Sequence, residues 1–206
     1  MIPEARQAFF EFLVRAGALR FGDFVLRSGG RSPFFLNLGD VAAGRDLDRL
    51  GAFLAEGLHE AFPDATLLYG PPYKGIVLAA VAAVGAWRAF QWDLPVAYAR
   101  KERKDHGEGG AFVGRRPQAG DRVVLVDDVL STGGAKLEAA DLLRGACGVD
   151  PIGVIVCLDR RVRHARPEPG LPPLHALADL DDLVEWLAVT DPDRAELVRA
   201  FQEGSP

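Results

Sequence analysis

From about residue 64 the chain alternates between short apolar strands and segments of helical period, an order that few folds accommodate. Leu67 to Tyr69 ends in Gly70-Pro71-Pro72, and a helical stretch runs from Gly75 to Ala89. Pro95 to Ala99 and Arg122 to Val126 read as strands, a helix spans about Gly133 to Gly145, and Ile152 to Leu158 is a continuous β-branched strand. Apolar strands alternating with helices predict an α/β class: a central, mostly parallel sheet with helices on both faces. Such sheets bind ligands outside the C-terminal ends of their strands. That rule directs attention to residues 70–75, 100–114, 127–134 and 159–160.

Ahead of the alternation, Pro3 to Ala16 carries Ala8, Phe9, Phe12, Leu13 and Ala16 at helical spacing. Phe24 to Leu38 is strand-like but broken by Ser28-Gly29-Gly30 and Pro33, and Leu47 to Phe62 is helical. Behind it come a Pro-rich loop, a short apolar segment at Leu174 to Leu177, and helices from about Asp181 and Asp193.

The chain's 206 residues suit a single domain. With 49% apolar and 26% charged residues it can build a core without disulfides or structural metal. Its 24 basic against 29 acidic residues, a formal charge of −5, argue against a general nucleic-acid coat. Cys147 and Cys157 sit in apolar surroundings with no CxxC or Cys/His pattern, and read as buried thiols in a reducing cytosol. Glu4, Arg6 and Glu11 interrupt the N-terminal apolar pattern, so no signal peptide is expected there. The longest apolar run, Ile76 to Trp87, is too short to span a bilayer. The expectation is a soluble, cytoplasmic protein.

The sharpest chemical signal is the run from Arg122 to Ala135, in which a buried strand delivers Asp127 and Asp128. Val129 and Leu130 then lead into the turn Ser131-Thr132-Gly133-Gly134, which opens a helix. The glycines let backbone N–H groups close around a phosphate, and the helix N-terminus favours its charge. Adjacent carboxylates would repel that phosphate but accept hydrogen bonds from sugar hydroxyls, so a ribose 5-phosphate satisfies both halves. The bland alternative is a strand end whose Asp/Ser turn caps the next helix. Neither a Walker A loop (Lys136 is followed by Leu137, and the glycines are missing) nor a GxGxxG fingerprint is present.

The stretch Arg100-Lys-Glu-Arg-Lys104-Asp-His106-Gly-Glu-Gly-Gly110 lies in about twenty residues without helix or strand pattern. Its basic residues, His106 and glycine hinges suit a flap that closes on a polyanion, against the alternative of a solvated mixed-charge loop. In Gly70-Pro-Pro-Tyr73-Lys74-Gly75, Lys74 opens a helix, where a cation opposes the helix dipole unless an anion shares the site. Phe34 and Phe35, beside Pro33, are either core or the flank of a flat heterocycle. Arg160 is equally compatible with a bidentate carboxylate partner and with a plain surface charge.

Together these residues resemble the type I phosphoribosyltransferases, and within them the orotate phosphoribosyltransferases. Val126-Asp-Asp-Val-Leu-Ser-Thr-Gly-Gly134 is similar to the motif that binds PRPP (5-phosphoribosyl 1-pyrophosphate), and Arg100 to Gly110 to the orotate enzymes' catalytic loop. Ser32-Pro-Phe-Phe35, Gly70 to Gly75 and Leu158-Asp-Arg160 follow in the family's order. The resemblance implies the family's sheet with a small N-terminal hood (about residues 1–45), a PRPP-binding core (about 64–165) and a long flexible catalytic loop. It implies Mg2+ as cofactor, PRPP and orotate as substrates, and orotidine 5'-monophosphate and pyrophosphate as products, in pyrimidine biosynthesis. It further implies a homodimer whose loop acts in trans, and neither a nucleic-acid nor a membrane partner.

By the same resemblance Asp127 and Asp128 hold the ribose hydroxyls, and Ser131, Thr132, Gly133, Gly134 and Ala135 cradle the 5-phosphate, with Val129 and Leu130 in the same binding stretch. Arg100, Lys101, Lys104, His106 and Lys74, with Tyr73 beside it, surround pyrophosphate. Phe34 and Phe35 border orotate, and Ser131 and Arg160 meet its polar groups. Arg27 stands where the family usually has lysine, and Ser131 where it has threonine. The chain itself supplies no evident protein-only metal site. Two rivals remain: a phosphoribosyltransferase for another base, and a non-catalytic regulator that senses PRPP.

Overall fold

A computed structural model describes residues 2–26, 29–104, 110–162 and 168–204, with the backbone alone at 101–104 and 110. Helix α1 (Glu4–Arg15) leads into the strands β1 (Leu19–Val25) and β2 (Arg31–Leu36), then α2 (Gly44–Ala61). The alternating part follows as β3 (Leu67–Tyr69), α3 (Lys74–Phe90), β4 (Val96–Lys104), β5 (Gly110–Gly114), β6 (Val123–Leu130), α4 (Gly134–Cys147), β7 (Gly153–Asp159) and β8 (Leu174–Asp179). Helices α5 (Leu180–Thr190) and α6 (Pro192–Gln202) close the chain.

The main sheet runs in the order β5-β4-β3-β6-β7-β8, parallel throughout except for the antiparallel pair β4–β5. Period-two alternation divides its side chains between two cores. Leu68, Val124, Val126, Ile155 and Cys157 enter the larger core, with buried residues of α1, α2, α3 and α5. Leu67, Tyr69, Val123, Leu125, Val154 and Val156 enter the smaller one, against Ala139, Ala140 and Leu143 of α4. Burial on both faces is why these strands read as continuous apolar runs.

The sheet changes direction of growth between β3 and β6. From β3 the chain crosses to β4 on one side; after the β4–β5 hairpin it returns to place β6 on the other. The C-terminal ends of β3 and β6 flank this switch point, where parallel sheets open a crevice for ligands.

Two segments differ from the sequence reading. The strand-like stretch Phe24 to Leu38 holds the end of one hairpin strand and the whole of the other: β1 begins earlier, at Leu19, and pairs antiparallel with β2, Phe21 opposite Phe34. Its turn closes where Leu26 N–H donates to the Gly30 carbonyl at 2.7 Å. Likewise, β4 continues to Lys104 and β5 returns beside it, with Tyr98 opposite Val113 and Lys104 opposite Gly110. Pairing of this kind is made by backbone groups, so it leaves little trace in side-chain periodicity.

Helices α2 and α3 approach backbone to backbone. A Cβ on Gly85 would stand 2.2 Å from the Gly51 carbonyl oxygen, and one on Gly51 would stand 2.4 Å from that of Val81. Alanine is the better helix former by about 1 kcal/mol, but the helices would have to separate to admit it. Gly85→Ala should therefore destabilise the fold by about 2 kcal/mol net and lower Tm by roughly 4–8 °C in a calorimetric scan. An unchanged or raised Tm would contradict this close crossing.

Candidate active site

Asp127 and Asp128 lie toward the C-terminal end of β6, buried at 8% and 9% exposure. Consecutive strand residues face opposite ways, so the two carboxylates divide between the sheet's faces, and each meets a lysine from the helix there. Asp127 points to the α4 side, where Lys136 Nζ lies 2.6 Å from its Oδ2. Asp128 points to the α3 side and pairs with Lys74, the first residue of α3. Lys136 also donates to the Val129 carbonyl at 2.6 Å, and Asp128 Oδ1 accepts from Val129 N–H at 2.8 Å. The strand tip is thus held by lysines from two helices that follow different strands.

The Asp128 carboxylate lies beside Lys74 and offsets its charge at the helix start. Sequence reasoning missed Lys136, weighing it only as a Walker lysine. A signal was available: Lys136, Ala139, Ala140 and Leu143 form the buried stripe of α4, and Lys136 is 6% exposed. A lysine on a helix's core face needs a carboxylate opposite.

Beyond the carboxylates, Ser131 and Thr132 are exposed, Gly133 is buried and Ala135 exposed. Gly133, the N-cap of α4, has φ +101°, a conformation an L side chain rarely adopts. Lys136 and Leu137 N–H donate back to the Gly133 carbonyl at 2.9 and 3.0 Å, so helical bonding begins there. The first N–H groups of a helix have no intrahelical acceptor, and here they open beside Ser131 and Thr132. The turn can therefore seat a phosphate while the carboxylates behind it face hydroxyls.

Arg160 follows β7, and its N–H donates to the Leu130 carbonyl at 3.0 Å, which ties it beside the β6 end. Its guanidinium lies over the Phe34 ring, 5.7 Å from the centroid, and burial pulls its pKa down. Among the described residues no carboxylate pairs with it; Asp159 pairs with Arg161 instead, at 2.6 Å. A partly desolvated guanidinium without a partner suits an incoming carboxylate. Phe34 itself is fully buried, edge-on to Phe201 of α6 at 5.7 Å, and acts as the platform beneath Arg160. Phe35 faces the other way, half-buried, stacked on Phe24 at 5.5 Å and covered by Arg20 at 5.5 Å.

The structure thus gathers Lys74, Asp127, Asp128, the 131–135 turn and Arg160 at neighbouring strand ends, with Tyr73 exposed at the N-cap of α3. Arg100 stands on β4 just past its pairing with β3, its Nε buried and without a hydrogen-bond partner. Lys101 and Lys104 belong to β4 by backbone alone, and Arg27 and His106 lie outside the described residues. Cys157 is fully buried on β7, and burial, then the Asp128 and Asp127 charges, push its thiol pKa up, so it is an inert core residue. Among the described residues no cluster of three or more His, Cys, Asp or Glu could hold a metal ion, and no helix is long and apolar enough to cross a membrane.

The sequence matches the phosphoribosyl transferase domain family over residues 39–170. It is 42% identical over 188 residues to the orotate phosphoribosyltransferase of Thioalkalivibrio sulfidiphilus, across 87% of this chain and 86% of that one. The chain belongs to the orotate phosphoribosyltransferase family.

The orotate phosphoribosyltransferase of Salmonella newport is 40% identical over 214 aligned positions, 98% of either chain. Among solved structures, the orotate phosphoribosyltransferase of Francisella tularensis superposes with a TM-score of 0.79 at 26% identity, covering 96% of this chain and 98% of that one. The protein is a transferase of pyrimidine biosynthesis.

Proposed function

We propose that this enzyme binds PRPP across the β3–β6 crevice and orotate beside Arg160, and joins them into orotidine 5'-monophosphate. The observation that carries the reading is the strand tip itself: two buried carboxylates, each held by a lysine, leading directly into a glycine turn at a helix N-terminus. In the reaction the C1–oxygen bond to pyrophosphate breaks and its electron pair leaves with pyrophosphate. Orotate N1, having lost its proton, forms the new bond to C1. Asp127 and Asp128 orient the ribose through its hydroxyls, and residues 131–135 hold the 5-phosphate. Arg160 fixes the orotate carboxylate, supported by Phe34 beneath it, whereas Phe35, turned to the other face against Phe24 and Arg20, stands away from the base. Lys74 and Tyr73, with Arg100, Lys101, Lys104 and His106, face the pyrophosphate. Their charge counts most in the transition state, where negative charge grows on the leaving group.

Mg2+ fits this donor set as an ion carried in on PRPP. Such ions take one or two carboxylates and draw their remaining oxygens from substrate phosphates and water. Because Asp127 and Asp128 face opposite sides of the strand, one of them would serve it, and when bound it would neutralise charge on pyrophosphate. The enzyme works in the cytoplasm as a homodimer, in which the segment bearing Lys104 and His106 covers the partner's site. Supporting a dimer, α3 leaves Val77, Val84 and Trp87 about half exposed at 49%, 52% and 51%, an apolar stripe on one helix face.

The deciding experiment follows orotate absorbance on mixing with PRPP and Mg2+. Loss that requires PRPP and disappears with EDTA is expected; no loss with orotate, or transfer to adenine instead, would defeat the assignment. In the same assay Arg160→Lys should raise the KM for orotate at least about tenfold and leave the KM for PRPP nearly unchanged. The reason is that a point charge replaces a fork that meets carboxylates bidentately. Equal changes in both constants would remove Arg160 from the base site.

A further inference from the structure

We propose that a second anion site, for a small polyphosphate, lies in the groove over the α2–α3 crossing, away from the strand ends. The Gly51–Gly85 approach removes side chains from the line where the helices meet, leaving a floor that includes Ala52, Gly85 and Ala89. Arg15, Arg45, Arg49 and Arg88, with Asp48, rim a concavity of about 620 Å³. Along α3, Arg88 is about 21 Å from Lys74 at 1.5 Å per residue, so the groove is separate from the catalytic crevice.

The charges in this groove do not cancel. Arg88 pairs with Asp48, and Arg45 lies 3.5 Å from Asp46. Among the described residues Arg15 and Arg49 have no carboxylate partner; each is laid over a buried aromatic ring instead. Arg15 sits 5.9 Å from the Phe12 centroid and Arg49 sits 4.6 Å from that of Phe53. Those rings contact each other at 5.6 Å, and both are nearly inaccessible, at 2% and 7%. Two guanidiniums therefore lie over adjoining rings, neither with a carboxylate partner among the described residues.

Planar guanidinium forks meet phosphate oxygens bidentately. The concavity is larger than one phosphate, and its alanine floor offers no ring for a base to stack on, so a chain of phosphates fits better than a nucleobase. A single groove on a chain of net charge −5 suits a small anion rather than nucleic acid. The occupant is inorganic polyphosphate or the triphosphate end of a nucleotide. It would join Arg15 of α1, Arg49 of α2 and Arg88 of α3, fastening the helical layer that backs the sheet.

The test is calorimetric titration of the whole protein with inorganic tripolyphosphate, repeated with a nucleoside triphosphate to distinguish the two sources. Native protein should show two classes of site per chain. Arg15→Gln/Arg49→Gln should weaken one class at least tenfold and leave basal turnover unchanged; Lys74→Ala should weaken the other. Ala89→Glu, which keeps every arginine but sets a carboxylate in the floor, should abolish the same class as the double arginine variant and guards against a folding defect. Tripolyphosphate should also raise the Tm of the Lys74→Ala protein. A single class of site in native protein, or a second class that survives both groove variants, overturns the proposal.

Discussion

Replacing Lys136 with methionine should destabilise the protein by about 3–5 kcal/mol, the usual cost of removing one partner of a buried ion pair. Lys136 and Asp127 have side chains only 7% and 11% exposed, so water cannot take over the ammonium's role. The Val129 carbonyl loses its donor in the same step. The denaturant midpoint should fall by the corresponding amount with little change in slope. Adding Asp127→Asn to Lys136→Met should recover more than half of the loss, because no unpaired charge then remains buried, while PRPP affinity should stay low. A Lys136→Met protein within about 1 kcal/mol of native would mean that the pair is far better hydrated than its burial indicates.

Lys104→Ala should act in the opposite way: kcat falls by about 10²- to 10³-fold, the usual effect of removing one preorganised charge from a transition state, and the fold is untouched. Its place on β4, next to the segment that carries His106, makes it a candidate to stabilise charge on departing pyrophosphate. The KM for orotate should move little, since the base lies toward Arg160, and the melting curve should match native protein. Turnover within a factor of about three of native would take Lys104 out of the chemical step. Between them, the two variants separate a lysine that holds the site together from one that acts on the leaving group.

Much of the fold was legible beforehand because its signals are local. Apolar runs at β3, β6 and β7, helical periods between them, and glycines at the turns all arise from neighbouring residues along the chain. What escaped the pattern was backbone pairing. The extension of β4 to Lys104, its return as β5, and the β1–β2 hairpin depend on ladders to a second strand rather than on alternation within one.

The sequence by itself determined the class of sheet and the adjacency of Asp127 and Asp128 to a glycine turn. Strand parity even requires those carboxylates to face opposite sides. Only the tertiary structure decided what each would meet: Lys136 for one, Lys74 for the other, from helices that follow different strands. It also laid Arg160 on Phe34, and set Arg15 and Arg49 on adjoining rings, although these residues are far apart or unremarkable in the chain. The physical reason is one of range. Backbone sterics and side-chain period act over a few residues, whereas the partner of a buried charge depends on which elements the strand order brings side by side.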